Sequence, residues 1–436
     1  MKVLKIGGSS VSSAQRMKDV VTLINDGKQK IVVVSALAGT TDSLAEIAMC
    51  LYNNEQKGAS NIINSLKLAY LSHIDELYQT GEFRQKTIET VMSCFMKIES
   101  FVSEPFSAFE EKELLAQGEL IAASMIHFYL EEQGVNSCLL PALDFMRTKK
   151  NSVPDMDYLK EHLGKLMKRH PDAAMYITQG YICRNAYGHI DNLQRGGSDY
   201  TASLIGAAIE AEEIQIWTNI DGIHNNDPRF VENTAPVSQL NFDEAAKVAH
   251  FGAKILHPAC ILPAKQHHIP VRLLNTLQPS APGTLISDVA EKGKIKVVAA
   301  KDHITYVKIK SYNSLQTPQF LSKVFDTFSK YLTPIDLVTT SDVGVAVAID
   351  NNVQLSEIIH EIERDASVTV EEDMVILCVV GDLECENIGF PAKIIDALRD
   401  IPVRMISYGG SNSNVSVLVR SEFKQQALQM LSNKLF

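Results

Sequence analysis

The sequence lacks the features that would commit it to several large classes of protein. Its 7 cysteines in 436 residues are an odd number, widely spaced and without a Cys-x-x-Cys pair, which argues against a disulfide framework or a zinc site and for reduced thiols. No apolar run approaches the roughly 20 residues that cross a bilayer, and Met1-Lys2-Val3-Leu4-Lys5 enters a strand at once, so a soluble, cytoplasmic protein without membrane contact is expected. A basic excess is missing too: the formal net charge is −11, which argues against a nucleic-acid surface. A local phosphate site remains open, because a few cations and oriented amides set the field within one cleft. Neither the P-loop pattern nor the dinucleotide Gly-x-Gly-x-x-Gly occurs, and there is no protein-kinase signature. His250, His257 and the pair His267-His268 lack metal-ligand spacing with acidic partners, so no protein-held metal is expected.

What is present is α/β alternation. Val3 to Ile6 reads as a buried strand, followed by the Gly7-Gly8 turn, a helix with Met17, Val20, Val21 and Ile24 on one face, and a second strand from Ile31 to Val34. That β-α-β unit implies a parallel sheet with a right-handed crossover. A further helix carries Leu44, Ile47, Ala48 and Leu51, with Ser43 and Glu46 spaced as a capping box. Residues 55–133 show only amphipathic helical stretches and read as a helical insertion or lid. Strand-like runs resume at Ser137 to Leu140, Ala174 to Thr178, Ile214 to Thr218 and Val271 to Leu274. The alternation is that of a three-layer α/β domain over about residues 1–290, with a mostly parallel sheet. From there the texture becomes a βαββαβ unit, 303–372, and a β-α-β-β-α unit, 373–436, a weak internal repeat of ferredoxin-like form whose second copy lacks its last strand. The apolar segment Ile295 to Ala300 is expected to supply it.

Two glycine-rich turns stand out, Lys5-Ile6-Gly7-Gly8-Ser9-Ser10 and Arg195-Gly196-Gly197-Ser198-Asp199-Tyr200-Thr201. Each precedes a helix pattern and can aim bare N–H groups at an anion from a helix N-terminus. Lys5 and Arg195 add cations, and Asp199 adds a carboxylate that orients them, so the pair reads as a phosphoryl-transfer site. Taken alone, the first motif is equally a tight turn with a solvated lysine, and the second a loop tip with a Ser/Asp cap. The polar loop Thr218 to Arg229 follows a strand, where α/β sheets bind ligands. Phe251-Gly252-Ala253-Lys254 places another lysine in a Gly-preceded turn. Glu119 lies on an otherwise apolar helix face with Leu115, Ala122, Ala123 and Ile126, where an unpaired carboxylate is costly. It demands a cation, either an internal Lys or Arg or a ligand ammonium.

In chain order, Lys5-Ile-Gly-Gly-Ser-Ser, Gln117-Gly118-Glu119, Thr178-Gln179-Gly180-Tyr181, Arg195-Gly-Gly-Ser-Asp199, Thr218 through Arg229 and Phe251-Gly-Ala-Lys254 closely resemble the motifs of aspartokinases, members of the amino-acid kinase family. The resemblance covers nearly the whole chain, C-terminal ACT domains included, and is nearest the monofunctional lysine-sensitive type. It implies transfer of the γ-phosphoryl of ATP, with Mg²⁺, to the β-carboxylate of L-aspartate, giving 4-phospho-L-aspartate at the start of lysine, threonine and methionine biosynthesis. It further implies feedback inhibition by an amino acid, lysine in this type, and a homodimer or higher oligomer joined through the ACT domains.

By the same resemblance, Lys5, Gly7, Gly8 and Ser9 would hold the transferring phosphoryl, with Lys254 on the nucleotide phosphates and Asp199 organising the lysines. Arg195 would pair with an aspartate carboxylate and Glu119 with its ammonium, while Thr41, Tyr181 and Ser198 shape that pocket. Thr218, Asn219, His224, Asp227 and Arg229 would line the nucleotide site. The effector would touch Ser314, Thr317, Phe320, Leu321, Ile335, Asp336, Thr340, Ser341 and Asp342. Asn219 stands where Asp is common, and Ser314, Gln319 and Pro334 depart from the lysine-sensitive pattern. Two other readings stay open: a kinase for another small carboxylate, and an amino-acid sensor with a degenerate kinase domain.

Overall fold

The computed structural model describes every residue except 194–195, 253–256, 313–316, 342 and 385–387; within helices, the side chains of residues 259, 317 and 318 are also left aside. The chain divides into two compact units, Met1–Gly222 with Leu256–Asp288, and Ile223–Ile255 with Val289–Phe436. The polar loop and helix after β7, which the sequence pattern groups with the N-terminal part, therefore pack within the second unit.

The first unit is built on a sheet of strands β1 (Lys2–Ile6), β2 (Lys30–Val34), β3 (Ser137–Leu140), β4 (Met175–Gln179), β7 (Ile214–Thr218), β9 (Val271–Asn275) and β10 (Thr284–Ser287) in the order β3-β4-β2-β1-β7-β9-β10. All neighbours are parallel except β9 and β10. The interiors of strands β1, β2 and β7 are mostly apolar, β2 most completely, because both faces are covered. Leu4, Ile6, Val32, Val34, Met175 and Ile177 join a core with helices α1 (Ala14–Ile24), α2 (Thr40–Tyr52), α3 (Gln56–Leu77), α4 (Gly81–Ser100) and α5 (Ala108–Glu132). The helical insertion is thus α3, α4 and most of α5, and α5 starts at a complete capping box made by Ser107 and Glu110. Residues of the other parity, Val3, Ile31, Val33, Ile214 and Ile216, face α7 (Gly197–Ile209), flanked by α6 (Met156–Arg169) and α9 (Pro258–Gln266). A hairpin of β5 (Ile182–Arg184) and β6 (Ile190–Asn192) follows β4. Strands of three residues are too short to show a hydrophobic period, and neither was expected.

The second unit holds β8 (Gln239–Asn241), α8 (Phe242–His250) and one antiparallel six-stranded sheet in the order β12-β13-β11-β14-β16-β15. Its strands are β11 (Ile295–Ser311), β12 (Leu337–Thr340), β13 (Gly344–Ile349), β14 (Ala366–Gly381), β15 (Val403–Ser407) and β16 (Asn414–Arg420). Its helices are α10 (Thr317–Lys330), α11 (Leu355–Ile362), α12 (Phe390–Ala397) and α13 (Lys424–Leu435). Segments 295–300 and 304–311, which read as two strands in the sequence, are one continuous strand. So are 367–370 and 374–381. The interruptions that hid this are a break of register between Lys301 and Ile304, with His303 at φ +61°, and Asp373 at φ +54°. Ile295 to Lys301 pairs with Gly381 to Ile376 of β14, while Tyr306 to Ser311 pairs with Glu371 to Ala366 and, on its other side, with β13. Each half has its own core: α10 and α11 with Val307, Ile309, Val345 and Val347, and α12 and α13 with Val375, Leu377, Val379 and Val417. Among the described residues no helix is long and apolar enough to cross a membrane, and the six described cysteines are free.

Candidate active site

At the C-terminal ends of β1, β2 and β4 the first unit opens a cavity of about 620 Å³. Lys5, Gly8, the turn Ser35 to Gly39, Thr41, Asp42, Glu119, Tyr181, Leu193 and Gly196 to Asp199 line it. Lys5 has the strand parity that faces α7, so its ammonium meets Asp199 in the first turn of that helix at 2.8 Å; both side chains are largely buried. Among the described residues Asp199 Oδ1 has no hydrogen bond besides this ion pair.

Two helices begin at the cavity without a side-chain cap among the described residues. Gly39 precedes α2 at φ +81° and Gly196 precedes α7 at φ +79°, left-handed conformations that admit glycine without strain, and neither position offers a side-chain cap. The capping box expected of Ser43 and Glu46 is not formed. Gly39 lets the helix begin at Thr40, before Ser43, so Ser43 donates its backbone N–H to the Gly39 carbonyl inside the first turn. Gly8 is there for proximity, since a Cβ on it would lie 2.3 Å from the Ala36 carbonyl oxygen.

Glu119, on α5, is buried. Its Oε1 accepts the Ala36 N–H at 3.3 Å, and its Oε2 has no hydrogen-bond partner among the described residues. Burial, partly opposed by the Ala36 N–H and the Lys5 charge, pushes its carboxyl up to about 8. Across the cavity, burial and then the Glu119 charge push the Tyr181 hydroxyl up to about 12; Tyr181 itself sits at φ +67°, with its N–H donated to Thr201 Oγ1 at 3.1 Å.

Lys5, Gly8, Thr41, Glu119, Tyr181, Ser198 and Asp199 therefore share one cavity. Gly7 and Ser9 do not line it: the Gly7 N–H is donated to the Trp217 carbonyl at 3.1 Å, and the Ser9 carbonyl accepts from Arg16 at 2.8 Å. Thr218 ends β7 and donates its hydroxyl to Asn219 Oδ1 at 3.3 Å. Within the second unit, His224 Nδ1 lies 2.8 Å from Thr234 Oγ1, and Arg229 forks onto Asp227 at 2.6 and 2.9 Å. Arg195 and Lys254 lie outside the described residues, as do Ser314 and Asp342, and the side chain of Thr317 at the head of α10 is likewise outside them.

Of the remaining effector candidates, Phe320, Leu321 and Ile335 pack into the first regulatory core, Thr340 ends β12, and Ser341 donates its N–H to the Gly344 carbonyl at 2.9 Å. Asp336 Oδ1 accepts from Lys301 at 2.6 Å and stands 3.0 Å from His250 Nε2, while its buried Oδ2 has no partner among the described residues. Burial works against ionisation there, but the hydrogen bonds from His250 and Lys301 outweigh it and hold the carboxyl below its ordinary range.

The turn Ser35 to Gly39 was missed as a site element. Its signal was a run of small residues after a strand, ending in Gly before two threonines.

The amino acid kinase family profile matches residues 1–275, and an ACT domain profile matches residues 377–435. Lysine-sensitive aspartokinase 3 of Escherichia coli (strain K12) is 31% identical over 449 residues, covering 100% of this chain and 99% of that protein. Two crystal structures of E. coli aspartokinase III resemble the chain over 100% of both. One, in complex with aspartate and ADP (R-state), has a TM-score of 0.85 at 29% identity. The other, in complex with lysine and aspartate (T-state), has a TM-score of 0.80 at 30% identity.

Proposed function

The chain belongs to the amino acid kinase family as an aspartokinase with an ACT regulatory region, an ATP-dependent aspartate kinase, and from that premise we propose how its residues divide the work. The 620 Å³ cavity takes L-aspartate and the terminal phosphoryl of ATP. One observation carries the reading: a buried carboxylate, Glu119, with one oxygen unpartnered among the described residues, faces the same cavity as a lysine held by a buried aspartate and two uncapped helix N-termini. The first suits an α-ammonium and the others suit phosphate and carboxylate oxygens.

The β-carboxylate of aspartate is already ionised near neutral pH and needs no general base. One of its oxygens attacks the γ-phosphorus in line, the bond from that phosphorus to the β,γ-bridging oxygen breaks, and the electron pair leaves on ADP. Catalysis is then positioning and charge neutralisation. Lys5 follows the charge on the transferring phosphoryl, and Asp199 fixes the lysine. The amides at the heads of α2 and α7 receive oxygens, with Gly7 and Ser9 supporting the turn from behind. Arg195 takes a carboxylate of aspartate, and Thr41, Tyr181 and Ser198 close the pocket around it. Lys254, Thr218, Asn219, His224, Asp227 and Arg229 serve the nucleotide. A divalent cation, Mg²⁺, would be brought in with the nucleotide and would supply charge neutralisation.

An amino-acid effector, lysine, binds near Asp336, whose buried Oδ2 has no donor among the described residues. We propose that it does so where the ACT regions of two chains meet, in a cytoplasmic homodimer. The test of the reaction is ADP release with aspartate and hydroxylamine, which traps the acyl phosphate as a hydroxamate. Hydroxamate with aspartate alone among small carboxylates supports it. Turnover of another acceptor, or none with intact lysine binding, would favour the alternative kinase or the degenerate sensor.

A further inference from the structure

The loop expected to meet the nucleotide is anchored in the last helix of the regulatory region. Asn226 is 3% exposed and its amide spans two elements: Oδ1 accepts the Asp227 N–H at 2.8 Å, and Nδ2 donates to the Leu428 carbonyl of α13 at 3.1 Å. One residue earlier, the Asn225 carbonyl accepts the Val298 N–H of β11 at 2.8 Å. Beyond Asp227, the N–H groups of Phe230 and Val231 both return to its carbonyl, and these two side chains pack into the hydrophobic core that α13 shares with β14 and β16. Lys424, in the first turn of α13, lies 4.1 Å from the centre of the Phe230 ring and 2.7 Å from Asp302. Its charge also reaches Asp227, where it joins the Arg229 fork in stabilising the carboxylate against burial.

Five independent contacts thus fix residues 225–231 to β11 and α13, whereas a surface loop needs none of them. Arg229 carries the consequence: its guanidinium is largely exposed, forks onto Asp227 and lies 5.7 Å from the centre of the Phe230 ring, and Asp227 in turn donates its N–H to Asn226. We infer that Asn226 and Lys424 are positioning residues for the nucleotide, so that α13 of the ACT region is part of the ATP-binding apparatus. The inference rests on the reading of Asp227 and Arg229 as nucleotide contacts.

The experiment measures ADP affinity by calorimetry, in the presence of Mg²⁺, together with KM for ATP and for aspartate, in the full-length Arg229→Ala, Asn226→Ala, Lys424→Met and Lys424→Arg proteins. Lys424→Met keeps the apolar stem and removes the charge; Lys424→Arg keeps the charge over the ring. The expected result is ADP affinity and KM for ATP worse by about tenfold in Arg229→Ala, Asn226→Ala and Lys424→Met, KM for aspartate within about twofold, and restoration in Lys424→Arg. General loosening of the structure would raise both KM values together, which counts against the inference. An ATP defect in Arg229→Ala with none in Asn226→Ala or Lys424→Met overturns it while sparing the loop's role. No defect in Arg229→Ala overturns the loop's role and the inference with it. If Asn226→Ala does not fold, the pair of Lys424 variants decides.

Discussion

Aspartate binding should be driven by pH through Glu119. In the empty site burial holds this carboxyl neutral up to about pH 8, whereas the substrate ammonium selects its charged form. Below that pH, binding must therefore release a proton. With a carboxyl titrating at about 8, only about one molecule in eleven has Glu119 ionised at pH 7 and about one in a hundred at pH 6. KM for aspartate at saturating ATP should accordingly fall about fiftyfold between pH 6 and pH 8, with a log–log slope near one, and level off above. Aspartate contributes nothing to that slope, because its side-chain carboxyl is ionised throughout this range. Stability obeys the opposite sign. The folded empty enzyme binds a proton at Glu119 that the unfolded chain has released, so this group's contribution falls as pH rises from about 4.5 to about 8. Saturating aspartate should relieve that loss, and its stabilising effect on Tm should grow over the same interval. The assay is coupled ADP release from pH 6 to 9, with Glu119→Gln alongside as a form that cannot titrate. A flat KM in the native enzyme, or the same slope in Glu119→Gln, refutes the assignment of the ammonium to Glu119.

Three further outcomes follow from the geometry. Lys5→Ala should lower kcat by about a hundredfold or more with little change in KM for aspartate, and cost about 1–3 kcal/mol of stability because Asp199 is left buried without its cation; near-native kcat in steady-state assays removes Lys5 from the mechanism. Gly8→Ala should weaken ATP use by tenfold or so and lower Tm, because the new Cβ falls 2.3 Å from a backbone oxygen that cannot rotate away; native kinetics and Tm show that the turn gives way freely. Asp336→Asn should blunt inhibition by lysine while sparing uninhibited turnover, as read from inhibitor titrations, and an unchanged inhibition curve moves the effector elsewhere.

The first unit was largely legible because its strands are continuous apolar runs and its helices carry regular apolar faces, both local signals. Lys5, Glu119 and Asp199 announced themselves by type and context: a lysine ending a buried strand, a carboxylate on an apolar face, an acid in a glycine-rich helix start. The uncapped head of α2 was not legible, since Ser43 with Glu46 fits a cap as well as Gly39 fits none, and only the left-handed φ at Gly39 separates them. Nor did local pattern reveal that residues 223–255 pack with the C-terminal part. Their anchoring depends on Val298 and Leu428, one of them 202 residues from its partner Asn226, and no periodicity reports such a pairing. The continuity of β11 and β14 was hidden for a related reason, because the polar stretches Lys301-Asp302-His303 and Glu371-Glu372-Asp373 interrupt the apolar runs while each strand continues through them.

Those two irregular stretches lie at adjacent levels of the ladder, on either side of the Ile304–Met374 pair. The register breaks on β11 around Ile304 at the level where Met374 of β14 answers it, just past Asp373, and both strands resume regular pairing on either side. The regulatory sheet is therefore a single plate with a crease across its two central strands. The ladder is regular in Tyr306 to Ser311 and in Val297 to Lys301, so the irregularity is confined to a few residues between two continuous stretches of the same strands, and pulling the halves apart would break a strand. Such a plate transmits twist and resists separation. An effector on the half containing Asp336 would consequently reach the half containing α13 as a change of angle.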